Sequence, residues 1–168
     1  AYDLSGGLTI RGNSLQDITG NLSDEDTTVE LWFQDLEGFS GNKILWETGQ
    51  VNGAGASLTL TDSTLDWRVF ESGASGGVIS IDLSSILIAE DLSDFIHVTA
   101  VFDRDAGGGT DPNNNQIQLY VNGVQVSGSP STGLNIDDFA TGNDLGVGGQ
   151  NGSTGGFPSD AGYGAFDG

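Results

Sequence analysis

Short runs in which apolar residues fall at every second position, broken by clusters of glycine, asparagine and aspartate, leave this chain few folds to choose from. Thr27 to Gln34 sets Val29, Leu31 and Phe33 on one side and Thr28, Glu30 and Trp32 on the other. Lys43 to Thr48 pairs Ile44 with Trp46, Ser57 to Thr61 pairs Leu58 with Leu60, and Thr64 to Phe70 groups Leu65, Trp67 and Val69. Val78 to Leu83 and Phe95 to Phe102 follow. A period of two marks a strand with one buried face. The clearest hairpin is Gln116 to Val126, where Ile117, Leu119 and Val121 alternate up to Asn122-Gly123 and Val124 and Val126 alternate away. Asn-Gly accepts the positive φ angles of a two-residue type I′ turn, whose twist suits the strands beside it. Ser84 to Phe95 is the one segment with helical character, enough for a turn or two or a 3₁₀ element.

Many short strands with turns of Gly, Asn and Asp predict an all-β, two-sheet antiparallel sandwich, with Val29, Leu31, Phe33, Trp67, Ile117, Leu119 and Val121 facing its core. Pattern alone leaves jelly roll, immunoglobulin-like and propeller arrangements open. A length of 168 residues suits one domain spanning 1–168, large enough to fold around a single core without crosslinks. There are no cysteines, so disulfides and thiolate metal sites are excluded.

Charge narrows the partners. Four Lys and Arg stand against 24 Asp and Glu, a formal net charge of −20. Arg11, Lys43, Arg68 and Arg104 are scattered and form no basic stripe, so nucleic acid and anionic membranes are repelled. No apolar run approaches the ~20 residues of a membrane-spanning helix, and no membrane insertion is expected. The acid excess fits solubility in salty or calcium-bearing water, and some carboxylates are candidate calcium ligands.

Catalysis is not expected. Glycan cleavage needs two carboxylates aimed into one cleft, about 5–9.5 Å apart. Here the acids gather in turns, at Asp24 to Asp26, Glu90-Asp91 and Asp137-Asp138, and no strand carries an alternating carboxylate series. There is no serine nucleophile elbow. His97 is the single histidine, too little for an ordinary zinc site, and reads as a packed or hydrogen-bonded residue near the core edge.

The segment from Asp103 to Gln116 is richer. Asp103, Asp105, Asp111, Asn113, Asn114 and Asn115 surround three consecutive glycines, Gly107 to Gly109. Calcium takes oxygens from carboxylates, amides and carbonyls, and glycines let a backbone wrap the ion. The spacing is not an EF-hand, because Gly107 takes the third ligand position and Asn114 stands where a bidentate glutamate belongs. A flexible solvated loop explains the same residues. Sugar binding needs aromatic faces and planar polar groups. Trp32 shares its strand face with Glu30 and is a candidate exposed platform, whereas Trp46 and Trp67 sit among apolar neighbours and read as core. Phe39, Phe157 and Tyr163 lie in glycine-rich segments and are candidate rim aromatics, with local packing the plainer account; Asn113, Asn114 and Asn151 are candidate amide partners. Asn21-Leu22-Ser23 and Asn151-Gly152-Ser153 match glycosylation acceptors, a pattern common by chance.

Three stretches together resemble the laminin G-like branch of the concanavalin A-like lectin and glucanase superfamily. Thr28 to Phe33 resembles its early tryptophan-bearing core strand. Phe95-Ile96-His97-Val98-Thr99-Ala100-Val101-Phe102-Asp103, followed by Gln116 to Gly123, resembles its histidine strand and "LYVNG" hairpin. Leu145 to Gly149 and Gly164 to Gly168 resemble its "lGg" strand and closing "FDG" segment. Phe95 stands where the family commonly has tryptophan, implying a core aromatic. The family usually continues past "FDG" into another strand, so the resemblance implies that this chain lacks the final one. It also implies a concanavalin A-like jelly roll, candidate calcium ligands at Asp144 and Asp167, and a secreted or cell-surface setting. The expected function is a non-catalytic recognition or adhesion domain of a large bacterial surface protein, binding glycan or another surface polymer beside neighbouring domains or subunits, with calcium as a candidate cofactor. The alternative is a structural subunit or spacer of an adhesin, surface layer or filament.

Overall fold

The computed structural model describes residues 10–12, 26–34, 39–49, 55–70, 76–88, 94–103, 115–126, 131–134, 145–149 and 164–166. Within them the strands are β1 (Ile10–Gly12), β2 (Thr27–Phe33), β3 (Asn42–Gly49), β4 (Gly55–Thr61), β5 (Thr64–Phe70), β6 (Gly76–Asp82), β7 (Ile96–Asp103), β8 (Asn115–Val121), β9 (Val124–Gln125), β10 (Ser131–Leu134), β11 (Leu145–Val147) and β12 (Gly164–Ala165). They form two sheets. One runs β1-β11-β3-β4-β5-β6, with β12 added in parallel along β3; the other runs β10-β8-β7-β2, with β9 on β8. Every other pairing is antiparallel. Among the described residues one 3₁₀ turn, Leu83–Ser85, follows β6 and overlaps the expected helical segment at Ser84 and Ser85.

The alternation read from sequence becomes the inner face of the sandwich. Ile96, Val98, Ala100 and Phe102 of β7 and Ile117, Leu119 and Val121 of β8 are buried, while the residues between them are partly exposed. Phe33 is buried, and Val29 and Leu31 pack against the same core. Opposite them stand Leu58, Leu60, Leu65, Trp67, Val69 and Ile79. Each such aliphatic side chain contributes roughly 1.5–3 kcal/mol on burial. Trp67 also binds the two sheets directly: its indole Nε1 donates to the Val101 carbonyl at 3.1 Å, which satisfies a polar group that would be costly to bury alone. The Asn122-Gly123 turn has φ of +48° and +76°, as the hairpin required.

Two expectations are corrected. Ile44 and Trp46 do not share a face. A bulge in β3 lies between them, so that Ile44 pairs with Thr59 and Trp46 with the next residue back, Leu58. Leu45 and Trp46 therefore both enter the core, and Ile44 is buried on the other side of the sheet. Phe95 is not a core aromatic; it is 55% exposed. Ile96 holds the inward position opposite Phe33, and strict alternation sends its neighbour outward.

Candidate functional site

The outer face of the β10-β8-β7-β2 sheet carries the candidate site. On β2, Thr28, Glu30 and Trp32 point away from the core because Val29, Leu31 and Phe33 point into it. On β7 the outward residues are His97, Thr99, Val101 and Asp103, and on β8 they are Gln116, Gln118 and Tyr120. Register then sets the neighbours. Trp32 lies opposite His97, and Glu30, Thr99 and Tyr120 form the next row across three strands.

Trp32 is 60% exposed and stacks on His97, with ring centroids 4.3 Å apart and planes inclined by 19°. His97 Nε2 lies 2.7 Å from Glu30 Oε1, and Thr99 Oγ1 lies 3.5 Å from the same nitrogen. The imidazole is thus held between a carboxylate and an indole. Its strand is anchored as well: the His97 backbone N–H donates to Asn122 Oδ1 at 2.9 Å, and the Asn122 N–H donates to the His97 carbonyl at 2.8 Å. Further along, the Tyr120 hydroxyl donates to Gln118 Oε1 at 2.6 Å. The result is an aromatic platform beside a carboxylate, a hydroxyl, an amide and a phenol, all on rigid strands. Such a surface can stack against the C–H face of a ring and hydrogen-bond its substituents.

Trp32 stands on this platform as the sequence indicated. Phe39 is half-buried against the core, so packing accounts for it. Asn113, Asn114, Asn151, Phe157 and Tyr163 lie outside the described residues. Of the candidate calcium ligands, Asp103 ends β7 and accepts a hydrogen bond from Gln116 Nε2 at 2.8 Å. Asp105, Asp111, Asp144 and Asp167 lie outside the described residues, and no group of three or more His, Cys, Asp or Glu able to hold a metal occurs among the described ones. Trp46 and Trp67 are buried, tilted at 48° to one another. His97 sits on the outer face rather than at the core edge, hydrogen-bonded as expected. Its part in the platform was missed, together with those of Thr99, Gln118 and Tyr120. The alternation of β7 and β8 placed these side chains outward, but which of them meet Trp32 depends on strand pairing across the sequence.

Among the described residues, no helix is long and apolar enough to cross a membrane. No curated protein sequence matches the chain. Among solved structures, the binding domain of botulinum neurotoxin DC in complex with SialylT superposes with a TM-score of 0.62 at 11% identity, over 83% of this chain and 31% of that one. The same toxin domain in complex with rat synaptotagmin II gives 0.60 at 10% identity, over 83% and 31%. Domains LG4-5 of the mouse laminin α1 chain give 0.53 at 18% identity, over 84% and 33%. This chain spans about a third of the length of each of these neighbours. The family model for the concanavalin A-like lectin/glucanases superfamily, in its laminin G form, matches residues 11–167. With nearly the whole chain matched and the two-sheet sandwich in place, the protein belongs to the laminin G-like branch of the concanavalin A-like lectin/glucanases superfamily.

Proposed function

We propose that this is a non-catalytic extracellular recognition domain that binds glycan or another surface polymer on the outer face of the β10-β8-β7-β2 sheet, with Trp32 as the principal contact. The observation that carries this reading is the 60% exposed indole braced on His97, which Glu30 in turn holds. A large apolar ring left in water gains free energy when a ligand covers it, and its fixed geometry lowers the ordering cost of binding. The solved neighbours include a toxin binding domain in complex with SialylT and with rat synaptotagmin II, which supports recognition as the general role. No described strand carries an alternating carboxylate series, which supports a non-catalytic domain. Calcium bound through Asp103 and the acids beyond it is part of the same proposal; Asp103 holds a position at the end of β7 from which it could contribute one ligand.

The test compares wild type with Trp32→Ala on an array of neutral, amino and acidic glycans. Wild type should bind at least one class, and the variant should lose about tenfold or more in affinity, as truncating an aromatic anchor does. Its folding stability should stay within about 1 kcal/mol of wild type, because the side chain is exposed. Binding that survives the substitution, or no binding by wild type, overturns the reading and favours a structural spacer.

A further inference from the structure

We infer that the Trp32 face takes a saccharide bearing a cationic amine and discriminates against acidic glycans, an inference that rests on the recognition role proposed above. The strands of this sheet, TTVELWF, IHVTAVFD, NQIQLYV, VQ and STGL, contain no lysine or arginine. The described lysine and arginine side chains lie on the other sheet and are engaged there. Arg68 Nη2 is 2.5 Å from Asp66 Oδ2, and Lys43 is buried with its Nζ 5.6 Å from the centre of the Phe166 ring. An anion approaching the platform would therefore meet a carboxylate on a chain of formal net charge −20, with no lysine or arginine on these strands to receive it and with the His97 ring nitrogen already engaged by Glu30.

A cation meets the opposite situation. Glu30 is half exposed at 51%, and its contact with His97 Nε2 fixes the carboxylate beside the indole instead of leaving it to sample solvent. One face of Trp32 is covered by His97, while the indole as a whole stays largely open. An ammonium group over an indole face is attracted by the ring quadrupole, and tryptophan is the best of the aromatic side chains for this. A nearby carboxylate adds a charge interaction. Thr99, Gln118 and Tyr120 supply neutral hydrogen-bonding groups for the hydroxyls of the same sugar. The charge and the ring contacts should each contribute a factor of roughly two to five in affinity.

The experiment measures calorimetric binding at neutral pH of short β-1,4-linked glucosamine oligomers, trimethylated on nitrogen to hold a permanent charge. Comparators are their N-acetylated counterparts, a sialylated oligosaccharide and an oligolysine of equal charge. The trimethylated oligomer should bind best, by roughly fivefold or more over the N-acetylated form. Glu30→Gln should erase that preference while Asp82→Asn, which removes one charge elsewhere, should keep it. Equal binding of the charged and acetylated oligomers, or tighter binding of the sialylated sugar, overturns the inference and leaves a glycan-binding platform standing. Equal losses in Glu30→Gln and Asp82→Asn reduce the effect to bulk charge and overturn it too, as does oligolysine binding as tightly as the sugar. Binding of any of the sugars that is indifferent to Trp32→Ala overturns the platform itself.

Discussion

Asp82 Oδ1 accepts hydrogen bonds from Ser84 Oγ at 2.6 Å, Ser63 Oγ at 2.8 Å and the Ser84 backbone N–H at 2.9 Å. It thereby joins the turn before β5 to the 3₁₀ turn after β6. These bonds favour the ionised form: the Ser84 hydroxyl first, then the Ser63 hydroxyl and the Ser84 N–H hold the carboxyl below its usual range. A carboxyl with a depressed folded-state pKa stabilises the fold above its unfolded pKa, and that stabilisation is lost as pH falls through the folded value. Asp82→Asn should therefore be less stable than wild type at neutral pH, and the gap should close on acidification through and below the ordinary aspartate range. Denaturant melts of both proteins across that range check this; a gap unchanged by acid would contradict it. At this same scale, alternation alone placed Trp32 beside Glu30 on an outward face. It did not show that His97 would brace the indole, because their apposition comes from a β2–β7 register linking residues far apart in sequence.

Between elements, close packing reaches its limit at Gly77, where β6 faces the other sheet. A Cβ there would stand 2.8 Å from Leu134 Cδ1 and 3.1 Å from Ile117 Cδ1, both on buried side chains. Gly77→Ala should destabilise the domain by about 1 kcal/mol and Gly77→Val by up to about 3 kcal/mol, read from denaturant midpoints. Unchanged midpoints would mean that the sheets are not held this tightly. The strands themselves were legible because Leu119, Phe102 and Leu58 sit in regular alternation, and the Asn122-Gly123 turn because its chemistry is local. The β3 bulge was not: nothing in Lys43-Ile44-Leu45-Trp46 marks the extra residue, which becomes visible only when β4 supplies the opposing register. Phe95 differs again. The resemblance pointed inward, but Phe95 stands two residues before His97, whose outward face is fixed only by the pairing of β7 with β2.

For the molecule as a whole, sandwich architecture followed from pattern, and the branch of the superfamily followed from motif order. The ligand did not, because a recognition surface is assembled from strands distant in sequence and its specificity depends on a few side chains. Calcium is tested at this scale. A ligand that binds only the native state adds about 2.7 kcal/mol at one hundred times its dissociation constant, so calcium should raise the melting midpoint over that in chelator. Equal midpoints would remove calcium from the account. The platform is tested most directly by the indole resonances. The chain has three tryptophans, of which Trp46 and Trp67 are buried and Trp32 is exposed. In a titration with a glycan that binds, followed by ¹H–¹⁵N correlation, the Trp32 indole signal should shift to saturation while those of Trp46 and Trp67 stay in place. Saturation by the ligand with the Trp32 signal unmoved would contradict the assignment of this face as the binding surface.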